Sequence, residues 1–311
     1  MGCSVRTVFA LLFTAWSMNA ATYYVVIAGL GGTPEYDQQF AKWANDLDRE
    51  LQSDGRGARV ETLAGAKATK EQIRGLFSRL DAEAKADDAV AVFLLGHGAF
   101  DGVEYKFNIP GPDLTAAELN ALLNRLPPRR QLVVNMTSCS GASIAALAKK
   151  DRIVIAATKS GTEKNATVFA RYWIDALRDP AADTDKNGAV SALEAFRYTE
   201  RKTASYFENE KLLATEHAIF TDTGSANAVR DPKPENGQGL LAAAFPLIRP
   251  PLQNTAQVGA GKQTLLNKKE DLEAKIDRLK YQKAAMPEQE YKQQLTALLV
   301  DLARTQAEID K

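Results

Sequence analysis

The sequence predicts an α/β fold: a mostly parallel sheet with helices on both faces, followed by a helical segment at the C-terminus. Three observations carry this. Short β-branched or aromatic runs alternate with helix-periodic stretches from residue 22 to about residue 161. Residues 89–95 (AVAVFLL) are apolar at every position, as expected of a strand covered on both faces. Residues 262–311 carry a heptad-like apolar stripe in place of that alternation.

The elements follow in order. Residues 23–28 (YYVVIA) read as a strand ending at Gly29, Gly31 and Gly32. Tyr36, Phe40, Trp43, Leu47 and Leu51 recur at helical spacing, and residues 58–63 fit a second strand. Thr69 and Gln72 form a capping box ahead of Ile73, Leu76, Phe77 and Leu80. After the strand at 89–95, Thr115 and Glu118 cap a helix bearing Leu119, Leu122, Leu123 and Leu126. Strands at 131–136 and 152–157 complete the alternation, and helices follow at 169–177 and 191–207.

Residues 22–228 therefore read as one domain, and 229–261 as a Pro-rich linker or a packed extended segment. Five of the twelve prolines fall between 231 and 251, but 240–248 is too apolar for a free tether. In the tail, Leu265, Leu272, Ile276 and Leu279 form one stripe. Beyond Pro287, Tyr291, Leu295, Leu298, Leu302 and Ile309 form another. This predicts an antiparallel helical hairpin, or a coiled coil with a helical partner or a second copy through 262–311.

Composition removes several function classes. The chain has 39 basic and 39 acidic residues and no formal net charge, which argues against nucleic-acid binding. Residues 1–21 read as a signal peptide: Arg6, a short apolar run, then Asn19, Ala20 and Ala21. The run is too short to span a bilayer, so no membrane span is expected after cleavage and the protein is expected in the periplasm or secreted. Of the two cysteines, Cys3 would leave with the signal, so Cys139 would have no internal disulfide partner.

Cys139 and His97 fall at informative places. His97 directly follows the buried strand, in Gly96-His97-Gly98, and Cys139 directly follows the next, in Thr137-Ser138-Cys139-Ser140-Gly141. Sites of open α/β sheets lie at the carboxyl ends of strands, so two parallel strands would bring thiol and imidazole to one edge. There they make a nucleophile and its acid or base. The N–H groups of Gly98 and Cys139 are candidate donors to an oxyanion.

These residues resemble a known group. Histidine-glycine after an apolar strand, then a cysteine among small residues after the next, is the pattern of legumains, caspases, gingipains and separases. VVIAG at 25–29 looks like the first legumain strand, and Ala156-Ala157-Thr158 resembles that family's strand after the cysteine. The resemblance covers roughly residues 23–223. It implies a caspase-like fold, a His97/Cys139 dyad with Gly98 beside it, and peptide-bond cleavage through a thioester, with transpeptidation open to the same intermediate. The chain departs from legumains at Gly31, where they carry asparagine, at Asp37, where an arginine of their asparagine pocket falls, and at Ser140, where they carry glutamate. Asparaginyl preference is therefore not implied. Ser140 and Lys159 are the residues expected to meet a protein or peptide substrate.

A second motif is independent. Asp183, Asp185, Asn187, the Ala189 carbonyl, Ser191 and Glu194 fall on positions 1, 3, 5, 7, 9 and 12 of an EF-hand loop, with Gly188 at position 6. This predicts one structural Ca2+ between two helices, and no cofactor is expected for catalysis. His217, the other histidine, lacks a glycine-flanked strand end and is expected to be structural. Lys159, Glu163 and Lys164 are expected in a loop by the cleft. The leading expectation is thus an exported cysteine endopeptidase. The alternative is a catalytically silent caspase-like scaffold that binds a partner or oligomerises through its C-terminal helices.

Overall fold

A computed structural model of the chain describes residues 20–54, 58–248 and 260–310. The signal-peptide reading rests almost wholly on residues 1–19, which lie outside the described residues, as do 249–259 of the Pro-rich stretch.

Strand β1 (Thr22–Ala28) alternates its side chains between two cores, Tyr24, Val26 and Ala28 into one and Tyr23, Val25 and Ile27 into the other. Helix α1 (Pro34–Gln52) starts at Thr33, whose side chain caps the Tyr36 N–H, and buries Phe40, Trp43, Leu47 and Leu51. Strand β2 (Arg59–Ala64) is half-exposed, as suits a sheet edge. Helix α2 (Lys70–Glu83) starts at the Thr69 cap and leads to β3 (Ala89–Gly96), every residue of which is buried.

The chain then makes a small antiparallel sheet not foreseen in the sequence: β4 (Gly98–Phe100), β5 (Tyr105–Phe107) and β6 (Leu114–Thr115). Its strands are too short to give a period-2 signal. Helix α3 (Ala116–Arg125) follows with the capping box of Thr115 and Glu118. Strand β7 (Arg130–Thr137), a short α4 (Ile144–Leu147) and β8 (Arg152–Ala156) continue the parallel sheet. Then come α5 (Phe169–Arg178), β9 (Val190–Ser191), α6 (Ala192–Asn209) and β10 (Ile219–Thr221).

Among the described residues the main sheet has the order β10-β8-β7-β3-β1-β2, parallel except for β10. Helices α1, α5 and α6 cover one face, and α2, α3 and α4 the other. The chain builds outward from β1 to β2 and then returns to β3 on β1's other side, so a topological switch point lies between β1 and β3.

The Pro-rich stretch is packed where it is described. Helix α7 (Leu240–Ala243) and β11 (Pro246–Ile248) join the core of α1, α5 and α6, with β11 paired to β9. Helices α8 (Ala260–Tyr281) and α9 (Glu288–Ile309) pack on each other, with the break at Pro287. Leu272, Ile276 and Leu279 of α8 and Ile309 of α9 are buried, whereas Leu265, Tyr291, Leu295, Leu298 and Leu302 are half-buried, so the hairpin covers the stripe in part. No described helix is long and apolar enough to cross a membrane.

Candidate active site

Strands β3 and β7 are parallel neighbours with Gly96 opposite Thr137. His97 and Cys139 leave these paired ends, so the sheet sets their turns side by side. The close approach explains Gly98: a Cβ there would lie 2.5 Å from both the Ser138 carbonyl oxygen and the Tyr105 ring. Cys139 adopts a left-handed backbone, φ 57, ψ 8. That conformation costs a non-glycine residue about 1–2 kcal/mol, so the surroundings must impose it.

They do so with buried hydrogen bonds. The Tyr105 hydroxyl meets Thr137 Oγ1 at 2.7 Å and donates to Asn135 Oδ1 at 3.2 Å. Asn135 Nδ2 donates to Ser143 Oγ (3.1 Å), which in turn donates to the Ser140 carbonyl (2.6 Å). Ser138 Oγ accepts the Gly98 N–H (3.1 Å) and donates to the Gly98 carbonyl (3.0 Å), tying the cysteine turn to the histidine turn.

The His97 ring packs edge-on against Tyr36 and Phe40, with centroids 4.9 and 5.1 Å away. Burial holds the imidazole below its ordinary pKa, opposed by a hydrogen bond to the Gly31 carbonyl and by the Asp37 charge. Cys139 is 2% exposed, and burial pushes its thiol up, opposed by Lys164 and by the Phe100 N–H that donates to the sulfur. In this arrangement thiol and imidazole are the neutral pair, each with its own partner.

The expected oxyanion donors are occupied. The Gly98 N–H is held by Ser138, and the Cys139 N–H donates to the Glu163 carbonyl at 2.8 Å. Residues 158–164 thus lie over the nucleophile. Gly161 presses against the Phe100 ring so closely that a Cβ would sit 2.2 Å from it. The Glu163 carboxylate accepts the Lys159 N–H (2.8 Å) and the His217 N–H (3.3 Å), and it also pairs with His217 Nδ1. His217 is therefore structural, as its sequence context implied, but its partner sits against the nucleophile.

Ser140, expected to meet substrate, is instead fully buried, its hydroxyl bonded to Thr158 Oγ1 at 3.1 Å. It joins the nucleophile turn to the covering segment, and no substrate reaches it here. Lys159 is exposed, with Nζ 3.6 Å from Glu163. Sequence reasoning missed Tyr105, Asn135 and Ser138; no local pattern marks them, because their partners lie 30 to 40 positions away.

The loop 183–194 brings carboxylate oxygens of Asp183, Asp185 and Glu194 within 4.8 Å of one another. Ser191 and Glu194 form a capping box at the start of α6, and Gly188 has φ 80, which the tight turn requires. All the converging side-chain donors are hard oxygens, the set that Ca2+ takes, so the residues fit the ion. Asp183, Asp185, Asn187, Ser191, Glu194 and the Ala189 carbonyl would hold it, offsetting the charge of three carboxylates.

Residues 61–211 match the model of the Peptidase C13 family. No curated protein matches the chain. Solved structures with similarity include protein GSU0716 from Geobacter sulfurreducens, 12% identical, with a TM-score of 0.44, covering 70% of this chain and 97% of its own. The Drosophila initiator caspase Dronc is 12% identical with a TM-score of 0.42, covering 66% and 80%. Chaetomium thermophilum Raptor is 13% identical with a TM-score of 0.37, covering 52% and 19%. The match takes in both strand ends and the turns that carry His97 and Cys139, so this stretch of the chain is similar to the Peptidase C13 family.

Proposed function

We propose that the chain is an exported cysteine endopeptidase in which Cys139 is the nucleophile and His97 the acid and base. The observation that supports it best is the pairing of β3 with β7, which sets a histidine and a strained cysteine on adjoining turns. The Cys139 sulfur attacks the scissile carbonyl carbon while His97 takes the thiol proton. The C–N bond then breaks, and His97 passes that proton to the leaving amine. Water, deprotonated by His97, cleaves the thioester and returns the thiol. An amine in place of water would give transpeptidation.

A substrate must first displace residues 158–164, which frees the Cys139 N–H for the oxyanion. Cys139→Ala and His97→Ala should each reduce turnover of a peptide library by about 1,000-fold or more. Unchanged turnover in either variant sinks the reading. Export rests on residues 1–21, and N-terminal sequencing of secreted protein checks it: a mature start near residue 21 or 22 is expected.

The loop 183–194 is proposed to hold one structural Ca2+. Millimolar calcium should raise Tm by about 3–5 °C, and Glu194→Gln should abolish the rise. An identical Tm with calcium and with chelator would end that proposal.

A further inference from the structure

Two successive residues, Glu216 and His217, hold the segment over Cys139 from outside the nucleophile turn. His217 donates its N–H to the Glu163 carboxylate and pairs with it through Nδ1, while the Glu163 carbonyl takes the Cys139 N–H. Glu216 accepts the N–H groups of Val168 and Phe169, at 2.8 and 2.9 Å, where α5 begins. The pair thus fixes both Glu163 and the helix start that follows it.

A cavity of about 180 Å³ is lined by this pair, by the second half of α6 and by Arg230. Phe207, Leu212, Ala214 and Ala218 give it apolar walls. Thr203 also lines it, and the buried Thr203 hydroxyl has no hydrogen-bond partner. Buried hydroxyls are rarely left so, because the hydration lost on burial is not replaced. The carboxylates of Glu200, Glu208 and Glu216 line the same cavity against one arginine, Arg230, which Glu200 already pairs at 3.1 Å. Burial pushes the Glu216 carboxyl up to about 8 against its two N–H donors, and the Glu163 charge adds to the rise. A cation brought next to it would favour the ionised form.

Apolar walls, an excess of carboxylates and an unpaired hydroxyl suit a primary ammonium on a short apolar stem, which brings three N–H donors. We infer that this cavity binds such an amine, free or as a lysine side chain, and that the bound amine tightens the segment over Cys139. An ionised Glu216 is the stronger acceptor for the N–H groups of Val168 and Phe169, so the start of α5 is held more firmly. The stem packs beside His217, which lines the cavity and grips Glu163. The covered state therefore binds the amine better than the displaced one, and the amine shifts the chain toward it. The site is read from the cavity; only its consequence for turnover rests on the peptidase reading.

The test uses the full chain at constant pH and ionic strength. The probe is n-butylamine, with n-butanol and butyrate as neutral and anionic counterparts and Nα-acetyl-lysine amide as the side-chain form. Calorimetry reads binding, and iodoacetamide alkylation of Cys139 reads the cover. Ala204 is exposed on α6 at the cavity, so Ala204→Leu fills the space without entering the core. Thr203→Val removes the hydroxyl at constant shape. Butylamine, but not butanol or butyrate, should bind saturably and slow alkylation about threefold. Either variant should weaken butylamine binding about tenfold. A response to acetyl-lysine amide as well assigns the site to a peptide lysine, and a response to butylamine alone to a free amine; both support the inference. No butylamine binding, equal responses to butanol and butylamine, binding that leaves alkylation unchanged or faster, or a response untouched by Ala204→Leu overturns it. No readout depends on turnover, so failure here leaves the peptidase reading standing.

Discussion

The two edges of the sheet are held by different chemistry. At the carboxyl edge, a left-handed cysteine, crowded glycines and a chain of hydroxyl hydrogen bonds keep two turns in contact. At the amino edge, Arg152 is buried to 1% exposure, and its guanidinium donates to Gln131 Oε1, Asn120 Oδ1, Asn124 Oδ1 and the Leu147 carbonyl. All four acceptors are neutral, and burial lowers the guanidinium pKa to about 10. At that edge too, Asp222 accepts the N–H groups of Gly239, Leu241 and Ala242, fixing α7, against which α8 packs. Left-handed residues lie at both edges, Asp151 (φ 64) standing just before Arg152, so what differs is the partner set: hydroxyl hydrogen bonds between two turns at the carboxyl edge, a buried guanidinium and carboxylate at the amino edge. The carboxyl edge thus holds two turns in contact, and the amino edge anchors the C-terminal helices through α7.

The largest expected effect tests the anchoring edge. Arg152→Met removes four hydrogen bonds and leaves the acceptors on Gln131 and Leu147 buried without them, which should cost about 3 kcal/mol in denaturant unfolding. Alkylation of Cys139 in the native state should stay at the wild-type rate. Equal stability, or a changed alkylation rate, would break the separation between the edges.

Next comes the covering segment. Glu163→Ala removes the acceptor of the Lys159 and His217 N–H groups, and iodoacetamide should then alkylate Cys139 about tenfold faster. The pH profile sharpens this. In wild type, burial holds the thiol above its ordinary pKa, so alkylation should keep rising into the alkaline range, whereas in Glu163→Ala the rise should come at lower pH. Superimposable profiles would show that the segment does not control the thiol.

A smaller effect concerns Tyr105, fully buried beneath the turn. Tyr105→Phe keeps the ring and deletes the bonds to Thr137 and Asn135. The expected outcome is kcat lowered about fivefold with KM unchanged, at a stability loss near 1 kcal/mol. Loss of stability with kcat intact would make Tyr105 part of the core and no more.

Much of this was legible in the sequence where the signal is local. The buried strand at 89–95 and the strand at 131–136 are continuous apolar runs, so the glycine-flanked His97 and Cys139 could be placed at strand ends without coordinates. The EF-hand-like spacing of 183–194 is equally local, since its donors come from one twelve-residue stretch. The strands at 98–107 escaped because three-residue strands carry no period, and the antiparallel β10 because its partner lies some sixty positions back.

By itself, the sequence determined the alternation of strands and helices, the order of the two chemical residues, and the break at Pro287 between the C-terminal helices, because each is written in neighbouring side chains. Only the tertiary structure decided that Ser138 holds Gly98, that Glu163 covers Cys139 while pairing with His217, and that Asp37 fixes the peptide that orients His97. The physical reason is that directional hydrogen bonds between residues distant in sequence leave no periodic trace, whereas burial on a sheet or helix repeats at every second or every third to fourth residue.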